Sequence, residues 1–294
     1  MRRRRDPREV LTRAAPPPRL TVAYGPLPDQ VADVWLPAGP GRGFDGARHE
    51  FRGGAPDVSP GVPLAVIVHG GFWRAEYDRR HTRPQCAGLA AAGYAVAAIE
   101  YRRIGAGGGW PATFDDVALA LDTVPALVAS AVAERYGQIV DTARVVHVGH
   151  SAGAHLAVWA ASRHRLRPGS RWHVADGTAR PTGVVSLAGV LDLAAAARLD
   201  LDHSAALELL GGDPDIRARR YAVTDPMRLI PPASPVVLLH GADDRHVPPS
   251  FSRRYAAATG APLTELRRVE HFALIDPKSR AWPAVLDAVT TALA

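Results

Sequence analysis

Serine, aspartate and histidine follow one another along this chain, each placed just after a run of apolar residues. Ser151 stands in the stretch "GHSAG", Asp243 and Asp244 in "LLHGADDRHVPP", and His271 in "ELRRVEHFALIDP". Together these side chain types can supply a nucleophile, a carboxylate that orients an imidazole, and the imidazole that carries the proton. Their order is that of an α/β-hydrolase. We predict a triad of Ser151, Asp244 and His271, with Asp243 as the alternative acid.

The surroundings of Ser151 indicate a nucleophile elbow. Gly149 and Gly153 lie two residues to either side, an apolar run precedes them, and an alanine-rich run follows. A sharp strand-to-helix turn leaves no room for side chains at those two positions. The turn is expected to expose the hydroxyl above the sheet, next to a helix N-terminus that favours negative charge. The alternative is an ordinary turn capped by Ser151.

The stretch "HGGFW" at 69–73 directly follows another apolar run. Attack on a carbonyl produces an oxyanion, which needs backbone N–H groups at hydrogen-bond distance. We predict an oxyanion hole formed by the N–H groups of Gly70, Gly71 and Ala152. His69 is expected to fix this loop by hydrogen bonding. The alternative is a simple turn after a strand.

Aromatic residues near these motifs are candidates for the substrate pocket. Phe72 and Trp73 follow the glycine pair, and Tyr101 ends an apolar run. Each of the three can line the pocket or pack beneath it. His155 lies one helical turn beyond Ser151, where we expect a structural hydrogen bond. Glu270 precedes His271 and either tunes it or faces solvent.

These motifs require a scaffold that brings them together, and the apolar runs supply it. Five runs rich in Val, Ile and Leu are near-continuous, which predicts parallel strands buried on both faces: 64–70, 94–101, 144–150, 183–189 and 235–241. Helical patterns lie between them, so we predict an α/β-hydrolase fold with a mostly parallel central sheet flanked by helices. Ligands of such sheets bind beyond the carboxyl ends of the strands, where the motifs lie.

The remaining sequence features predict a single domain that follows an N-terminal tail. Residues 1–19 are rich in Arg and Pro and are predicted to be a disordered or loosely ordered tail, while 20–294 are predicted to form a single domain with a small cap region around 192–234. Residues 21–36 predict an opening antiparallel pair, and 40–62 a loop. A helix beginning at Phe114 is expected to break at Pro125 and then to resume.

The composition of the chain indicates which classes of binding partner to expect. The net charge of +6 comes almost entirely from arginines scattered among acids, so we expect no nucleic acid partner. No apolar stretch of 18 residues lacks charge, so no membrane partner is expected. The lone Cys86 is predicted to be a small buried apolar residue. A single cysteine forms no internal disulfide, so we expect the chain in the reducing cytoplasm. We expect a small-molecule substrate, no metal and no cofactor, and a homodimer is the candidate assembly.

The motifs carry a family resemblance. The chain resembles the hormone-sensitive-lipase-like esterase group of α/β-hydrolases and, within it, the kynurenine formamidases (arylformamidases). The similarity lies in "HGGFW", "GHSAGAHLA", "HFALIDP" and the opening "VAYGPLPDQVADVWLP". Two features depart from the formamidases: Ala273 stands where they often have an acid, and 192–234 shows no matching motif.

The resemblance implies cofactor-free hydrolysis of N-formyl-L-kynurenine to kynurenine and formate by a serine hydrolase of tryptophan catabolism. Carboxylesterases share the HGG-aromatic-Trp motif, so action on short-chain acyl or aryl esters is the alternative. A non-catalytic small-molecule binding protein on the same fold is the second alternative.

Overall fold

The computed structural model describes residues 6–38, 61–175 and 177–294 of the 294-residue chain. Its centre is an eight-stranded sheet with the strand order β1-β2-β4-β3-β5-β6-β7-β8. The strands are β1 (Leu20–Ala23), β2 (Val31–Trp35), β3 (Val62–Val68), β4 (Ala95–Ile99), β5 (Val140–His150), β6 (Gly183–Leu187), β7 (Val236–Gly241) and β8 (Leu263–Leu266). The predicted opening pair is confirmed, because β1 and β2 pair antiparallel.

The five predicted apolar runs form β3 to β7 in this sheet. β2 meets β4 antiparallel, whereas β3 to β8 all run parallel to one another. β4, β6 and β7 are buried along their whole length, as expected of parallel strands covered on both faces. Their carboxyl ends therefore meet at one edge, where Ser151 and the 69–73 loop emerge.

Helices cover both faces of the sheet. They are α1 (Glu9–Thr12), α2 (Arg83–Ala91), α3 (Ala112–Tyr136), α4 (Ala152–Ala161), α5 (Leu193–Arg198), α6 (Ala205–Leu210), α7 (Ala218–Thr224), α8 (Ser250–Thr259) and α9 (Trp282–Leu293). Short 3-10 helices occupy Arg79–Thr82, Arg163–Arg165, Pro226–Arg228 and His271–Ile275. One apolar core lies under α3, α4 and α8, and a second lies under α2 and α9.

Helix α3 corrects the prediction of a break at Pro125, because the helix continues through that residue. A proline inside a helix removes one hydrogen bond and costs about 3 kcal/mol. Burial of Val124, Val128 and Val132 against the sheet offsets this cost. By length and composition alone α3 could also span a membrane. Here its buried side chains form part of the core.

The chain ends and the region between β6 and β7 complete the domain. In the predicted tail, Val10 is fully buried and Arg13 forms an ion pair with Asp276, so residues 6–19 contact the domain. The predicted cap region contains α5, α6 and α7. Most of the predicted loop 40–62 lies outside the described residues, and β3 begins at Val62.

Candidate active site

Ser151 occupies a strained turn between β5 and α4. Its backbone has φ 56° and ψ −120°, a left-handed conformation that non-glycine residues rarely adopt. A Cβ at Gly149 would lie 2.4 Å from the Gly153 carbonyl oxygen, and one at Gly153 would lie 2.0 Å from that of Val68. Both contacts are with backbone atoms, which cannot move aside. The predicted elbow therefore has the close packing that requires its two glycines.

We expect Gly153→Ala to lower the free energy of unfolding by at least about 4 kcal/mol, the loss associated with a severe backbone clash. Gly137→Ala is the matched control, because Gly137 has φ +64° and nothing within 4 Å of its added Cβ. That change should cost only about 1 kcal/mol of backbone strain. Urea denaturation measures both. Equal losses in the two variants would contradict the proposed packing.

The serine is less exposed than its sequence predicts. Ser151 is 2% exposed, which corrects the expectation of a hydroxyl displayed above the sheet. The backbone of Gly70 lies against it, since a Cβ at Gly70 would come within 3.0 Å of the Ser151 Cβ. The backbone N–H of Val190 donates to the Ser151 carbonyl oxygen at 3.3 Å. These loops surround the residue and bury its side chain.

Asp244 and His271, predicted from separate loops, meet in the structure. Asp244 Oδ2 lies 2.6 Å from His271 Nδ1, and both side chains are buried. Asp243 is exposed and does not make this contact. Asp244 Oδ1 accepts the backbone N–H groups of His246 at 2.8 Å and Val247 at 2.9 Å. The loop after β7 thus holds the carboxylate at both oxygens, with one directed to the imidazole.

The neighbours of Asp244 keep it ionised. Burial alone would raise the pKa of this carboxyl, but hydrogen bonds from His240 and His271 and the backbone N–H of Val247 hold its pKa well below the ordinary value. His240 Nε2 lies 3.3 Å from Asp244 Oδ2 and 3.0 Å from the Val247 carbonyl oxygen. An ionised Asp244 binds an N–H at His271 Nδ1, which leaves Nε2 of that ring as the proton acceptor.

Two further residues position the His271 backbone. Glu270 accepts the N–H groups of Phe272 at 3.0 Å and Ala273 at 2.7 Å, so it caps the 3-10 helix His271–Ile275. His150 Nε2 lies 3.1 Å from the His271 carbonyl oxygen, and the two imidazole rings are 4.4 Å apart. His271 is therefore held beside the residue that precedes Ser151.

The 69–73 loop is a tight left-handed turn. Gly71, Phe72 and Trp73 have φ values of 108°, 46° and 60°. Left-handed Phe and Trp are strained and persist only where surrounding contacts fix them. The N–H groups of Gly70, Gly71 and Ala152 act as donors in none of the hydrogen bonds among the described residues. Gly70 and Ala152 lie next to Ser151, and the oxyanion hole formed by Gly70, Gly71 and Ala152 stays a prediction.

His69 holds this loop from below. Its Nδ1 lies 2.9 Å from the Gly70 carbonyl oxygen and its Nε2 lies 2.8 Å from Glu100 Oε1. Burial alone would raise the pKa of Glu100, but His69, the Arg79 backbone N–H and Arg103 lower it to about 2. This buried, hydrogen-bonded pair matches the predicted loop-fixing role of His69.

Tyr101 and Trp73 also support the loop, which corrects their prediction as substrate-binding residues. Tyr101 is 0% exposed, stacks on His69 at 4.3 Å, and donates its hydroxyl to the His69 carbonyl oxygen at 2.8 Å. Trp73 is 1% exposed and donates Nε1 to His155 Nδ1 at 3.2 Å. Both rings are engaged beneath the loop, where their apolar area stabilises the strained turn. Phe72 retains slight exposure and stays a candidate pocket residue.

His155 has the structural role that its position predicts. Its Nε2 lies 2.9 Å from the Thr224 carbonyl oxygen, while Nδ1 accepts from Trp73. Burial lowers its pKa to about 4, so the ring stays neutral near pH 7. Cys86 is buried as predicted, and burial raises the pKa of its thiol to about 12.

Arg74 connects the oxyanion loop to the region between β6 and β7. Its guanidinium donates to Asp202 Oδ2 at 2.8 Å, to Glu208 Oε2 at 2.6 Å and to the His203 carbonyl oxygen at 3.0 Å. Asp202 and His203 have left-handed φ values of 50° and 52°. The Arg74 guanidinium thus connects the 69–73 loop to the loop that contains Asp202 and His203, and both loops have left-handed residues.

Sequence reasoning left three contributors without a role. Glu100 is the last residue but one of the run at 94–101, His150 is the second residue of "GHSAG", and His240 is the last residue but one of the run at 235–241. Each is a polar residue at the carboxyl end of a buried strand. Because ligands of parallel sheets bind at that edge, this placement could have identified the three residues from the sequence. Within the described ranges, no group of three or more His, Cys, Asp or Glu side chains has the arrangement of a metal site.

Comparison with known families gives a match across most of the chain. A family model described as BD-FAE matches residues 55–258. Esterase LipQ from Mycobacterium tuberculosis is 30% identical over 244 residues, a match that covers 78% of this chain and 52% of that protein. The chain thus spans about half the length of the curated relative that it matches.

Solved structures show the same fold. A truncated carbohydrate esterase from gut microbiota has a TM-score of 0.67 at 19% identity, covering 94% of this chain and 99% of that one. Esterase B from Lactobacillus rhamnosis has a TM-score of 0.67 at 19% identity, covering 95% and 87%. A butyrate-bound esterase from Thermogutta terrifontis has a TM-score of 0.62 at 20% identity, covering 93% and 91%. The predicted α/β-hydrolase fold is confirmed, whereas the resemblance to kynurenine formamidases is not.

Proposed function

We propose that this chain is a serine carboxylesterase acting on short-chain acyl or aryl esters. The chain belongs to the BD-FAE family and to an esterase group of the α/β-hydrolases. The observation that carries this proposal is the 2.6 Å contact between Asp244 and His271. The His271 ring lies 4.4 Å from that of His150, the residue that precedes the serine on the strained turn. The relatives reported above are named as esterases, and the structure from Thermogutta terrifontis holds butyrate. These names favour an ester over the formamide that the sequence resemblance implies.

The proposed reaction begins with attack of Ser151 Oγ on the ester carbonyl. His271 Nε2 takes the hydroxyl proton as the new C–O bond forms, and Asp244 stabilises the resulting imidazolium. Negative charge on the carbonyl oxygen is met by the N–H groups of Ala152 and of Gly70 or Gly71. The N-terminus of α4 adds a favourable field at the same point.

The tetrahedral intermediate then breaks its bond to the leaving alcohol. His271 returns its proton to that oxygen, which leaves an acyl group on Ser151. Water attacks the acyl carbon with His271 again as the base. The bond to Ser151 Oγ then breaks, and His271 returns its proton to that oxygen as the carboxylic acid departs. Every proton transfer in this sequence uses one imidazole nitrogen, and no cofactor is required.

Substrate preference tests the proposal. The purified chain should hydrolyse p-nitrophenyl butyrate with a kcat/KM at least about 10²-fold above that for N-formyl-L-kynurenine, which corresponds to about 2.7 kcal/mol of transition-state stabilisation. Initial rates for both substrates, corrected for hydrolysis in buffer, give the ratio. A preference for the formamide would contradict the carboxylesterase and support the formamidase. Failure of a fluorophosphonate to label the folded chain would instead favour a non-catalytic binding protein.

A further inference from the structure

One carboxylate oxygen of the site faces two imidazoles. Asp244 Oδ2 lies 2.6 Å from His271 Nδ1 and 3.3 Å from His240 Nε2. His271 carries the proton in the proposed esterase reaction, whereas His240 is 0% exposed inside β7, after the apolar residues Val236–Leu239. Burial of an imidazole at such a place costs free energy unless its nitrogens have partners.

Both nitrogens of His240 have partners. Nδ1 lies 2.7 Å from the hydroxyl of Ser252 on α8, and Nε2 lies 3.0 Å from the Val247 carbonyl oxygen as well as 3.3 Å from Asp244 Oδ2. A carbonyl oxygen and an ionised carboxylate accept hydrogen bonds and do not donate them, so the neutral ring carries its proton on Nε2. Nδ1 is then the acceptor nitrogen, and it takes the hydroxyl proton of Ser252, which is also 0% exposed.

This tautomer places the positive end of an N–H dipole beside Asp244 Oδ2. Burial would raise the pKa of Asp244, and His240 and then His271 lower it. A donor that stabilises an ionised carboxylate offsets part of its charge. The carboxylate therefore acts less strongly on its second partner, the His271 ring, than it would alone.

We propose that His240 is a positioning residue for the proposed esterase reaction, on which this inference rests. Its Nε2–H, held in that tautomer by Ser252, shares Asp244 Oδ2 with His271 and limits how strongly the carboxylate stabilises the protonated base. A general base acts in its unprotonated form. His240 thus extends the pH range over which His271 is able to accept the Ser151 proton.

Further titratable groups act on the two imidazoles from neighbouring elements. They are His150, His246 and Glu270 around His271, and Glu265 on β8, itself bonded to Arg253, beside His240. All of these groups stay in place when residue 240 alone is changed. A comparison of two variants at this position therefore cancels their contribution.

Two substitutions separate the Nε2–H donor from the rest of the His240 side chain. The amide nitrogen in His240→Gln lies as many bonds from Cβ as Nε2, so it still donates toward Asp244. The amide in His240→Asn lies as many bonds from Cβ as Nδ1, so it reaches Ser252 but falls short of Asp244. The pH dependence of kcat/KM for p-nitrophenyl butyrate is measured for both, because its acid limb reports protonation of the general base.

The acid limb of His240→Asn should lie about 0.5 to 1 pH unit above that of His240→Gln and of the wild type, the shift that corresponds to about one hydrogen bond. The direction separates the proposal from a purely structural role. If His240 merely kept the loop after β7 in shape, its loss would move Asp244 away from His271, and the limb would move to lower pH. A lower or unchanged limb in His240→Asn would overturn the proposal, while ester hydrolysis by the same variant would leave the proposed function intact.

A measurement on the wild-type chain covers the case in which a variant does not fold or the chain does not hydrolyse the ester. Heteronuclear NMR of the histidine side chains reports the tautomer of each ring, with His240 assigned through its contacts to Val247 and Ser252. We expect the proton on Nε2 and an unprotonated Nδ1. A proton on Nδ1 alone would leave no donor toward Asp244, and the proposal would then be wrong.

Discussion

Replacing Ser151 with alanine is expected to lower kcat for p-nitrophenyl butyrate by about 10⁴- to 10⁶-fold, with little change in KM. The variant keeps the Asp244–His271 pair and the backbone donors, so residual activity above the buffer rate should come from these groups alone. Alanine removes only the Oγ atom, and the left-handed turn at residue 151 still carries a Cβ. Steady-state rates and labelling by a fluorophosphonate measure the loss in two independent ways.

Ser162→Ala provides the matched control for this experiment. Ser162 is also buried and follows the last residue of α4, but its hydroxyl donates to the Val158 carbonyl oxygen at 2.9 Å. Its loss should cost about 1 kcal/mol of stability and change kcat less than about threefold. If Ser151→Ala were labelled as strongly as the wild type, another residue would be the nucleophile.

The fold and the elbow could be predicted because each depends on a short-range pattern. Apolar runs buried on both faces require parallel neighbours, and β3 to β7 occur at the predicted places. The glycines at 149 and 153 are required by contacts within a few residues of the turn and with the adjacent strand. Such patterns are visible in the sequence because the backbone geometry permits few alternatives.

The acid of the site could not be decided in the same way. Asp243 and Asp244 are adjacent in one loop, and both are plausible turn residues. What separates them is the loop conformation after β7, which buries residue 244 and exposes residue 243. Sequence position favours Asp244, and the hydrogen bond to His271 that this conformation allows identifies it as the acid partner of that imidazole.

The aromatic residues show why pocket residues are harder to predict than motifs. Trp73 and Tyr101 lie next to the predicted oxyanion loop in sequence, yet their rings turn beneath it toward His155 and His69. Proximity in sequence does not determine the side of a loop from which a side chain projects. Pro125 illustrates the same limit, since tertiary packing kept α3 continuous across a residue that disfavours helix.

Two carboxylate–histidine pairs of similar geometry have different tasks in this site. Asp244 contacts His271 at 2.6 Å, and Glu100 contacts His69 at 2.8 Å. The other nitrogen of His69 lies against the Gly70 carbonyl oxygen, so this ring has no nitrogen left for proton transfer. His271 keeps Nε2 for that purpose. The first pair therefore suits catalysis, and the second holds the loop that carries the oxyanion donors.

Asp244→Asn is expected to lower kcat for the same ester by about 10⁴-fold while the fold stays intact. The asparagine Oδ1 can still accept the backbone N–H groups of His246 and Val247, so the loop after β7 should keep its shape. Its NH₂ group then faces His271 Nδ1, which must become an acceptor. The proton moves to Nε2, and the imidazole can no longer accept the proton of Ser151.

Asp243→Asn is the control, since it makes the same chemical change one residue away on an exposed side chain. We expect its kcat to stay within about threefold of the wild-type value. Surface substitutions rarely change the free energy of unfolding by more than about 0.5 kcal/mol, so the fold around the site should be unchanged. Circular dichroism and urea denaturation establish that both variants fold, and stopped-flow or steady-state assays give kcat and KM. Equal losses in the two variants, or a loss below tenfold in Asp244→Asn, would show that the contact with His271 does not set the tautomer on which the proposed reaction depends.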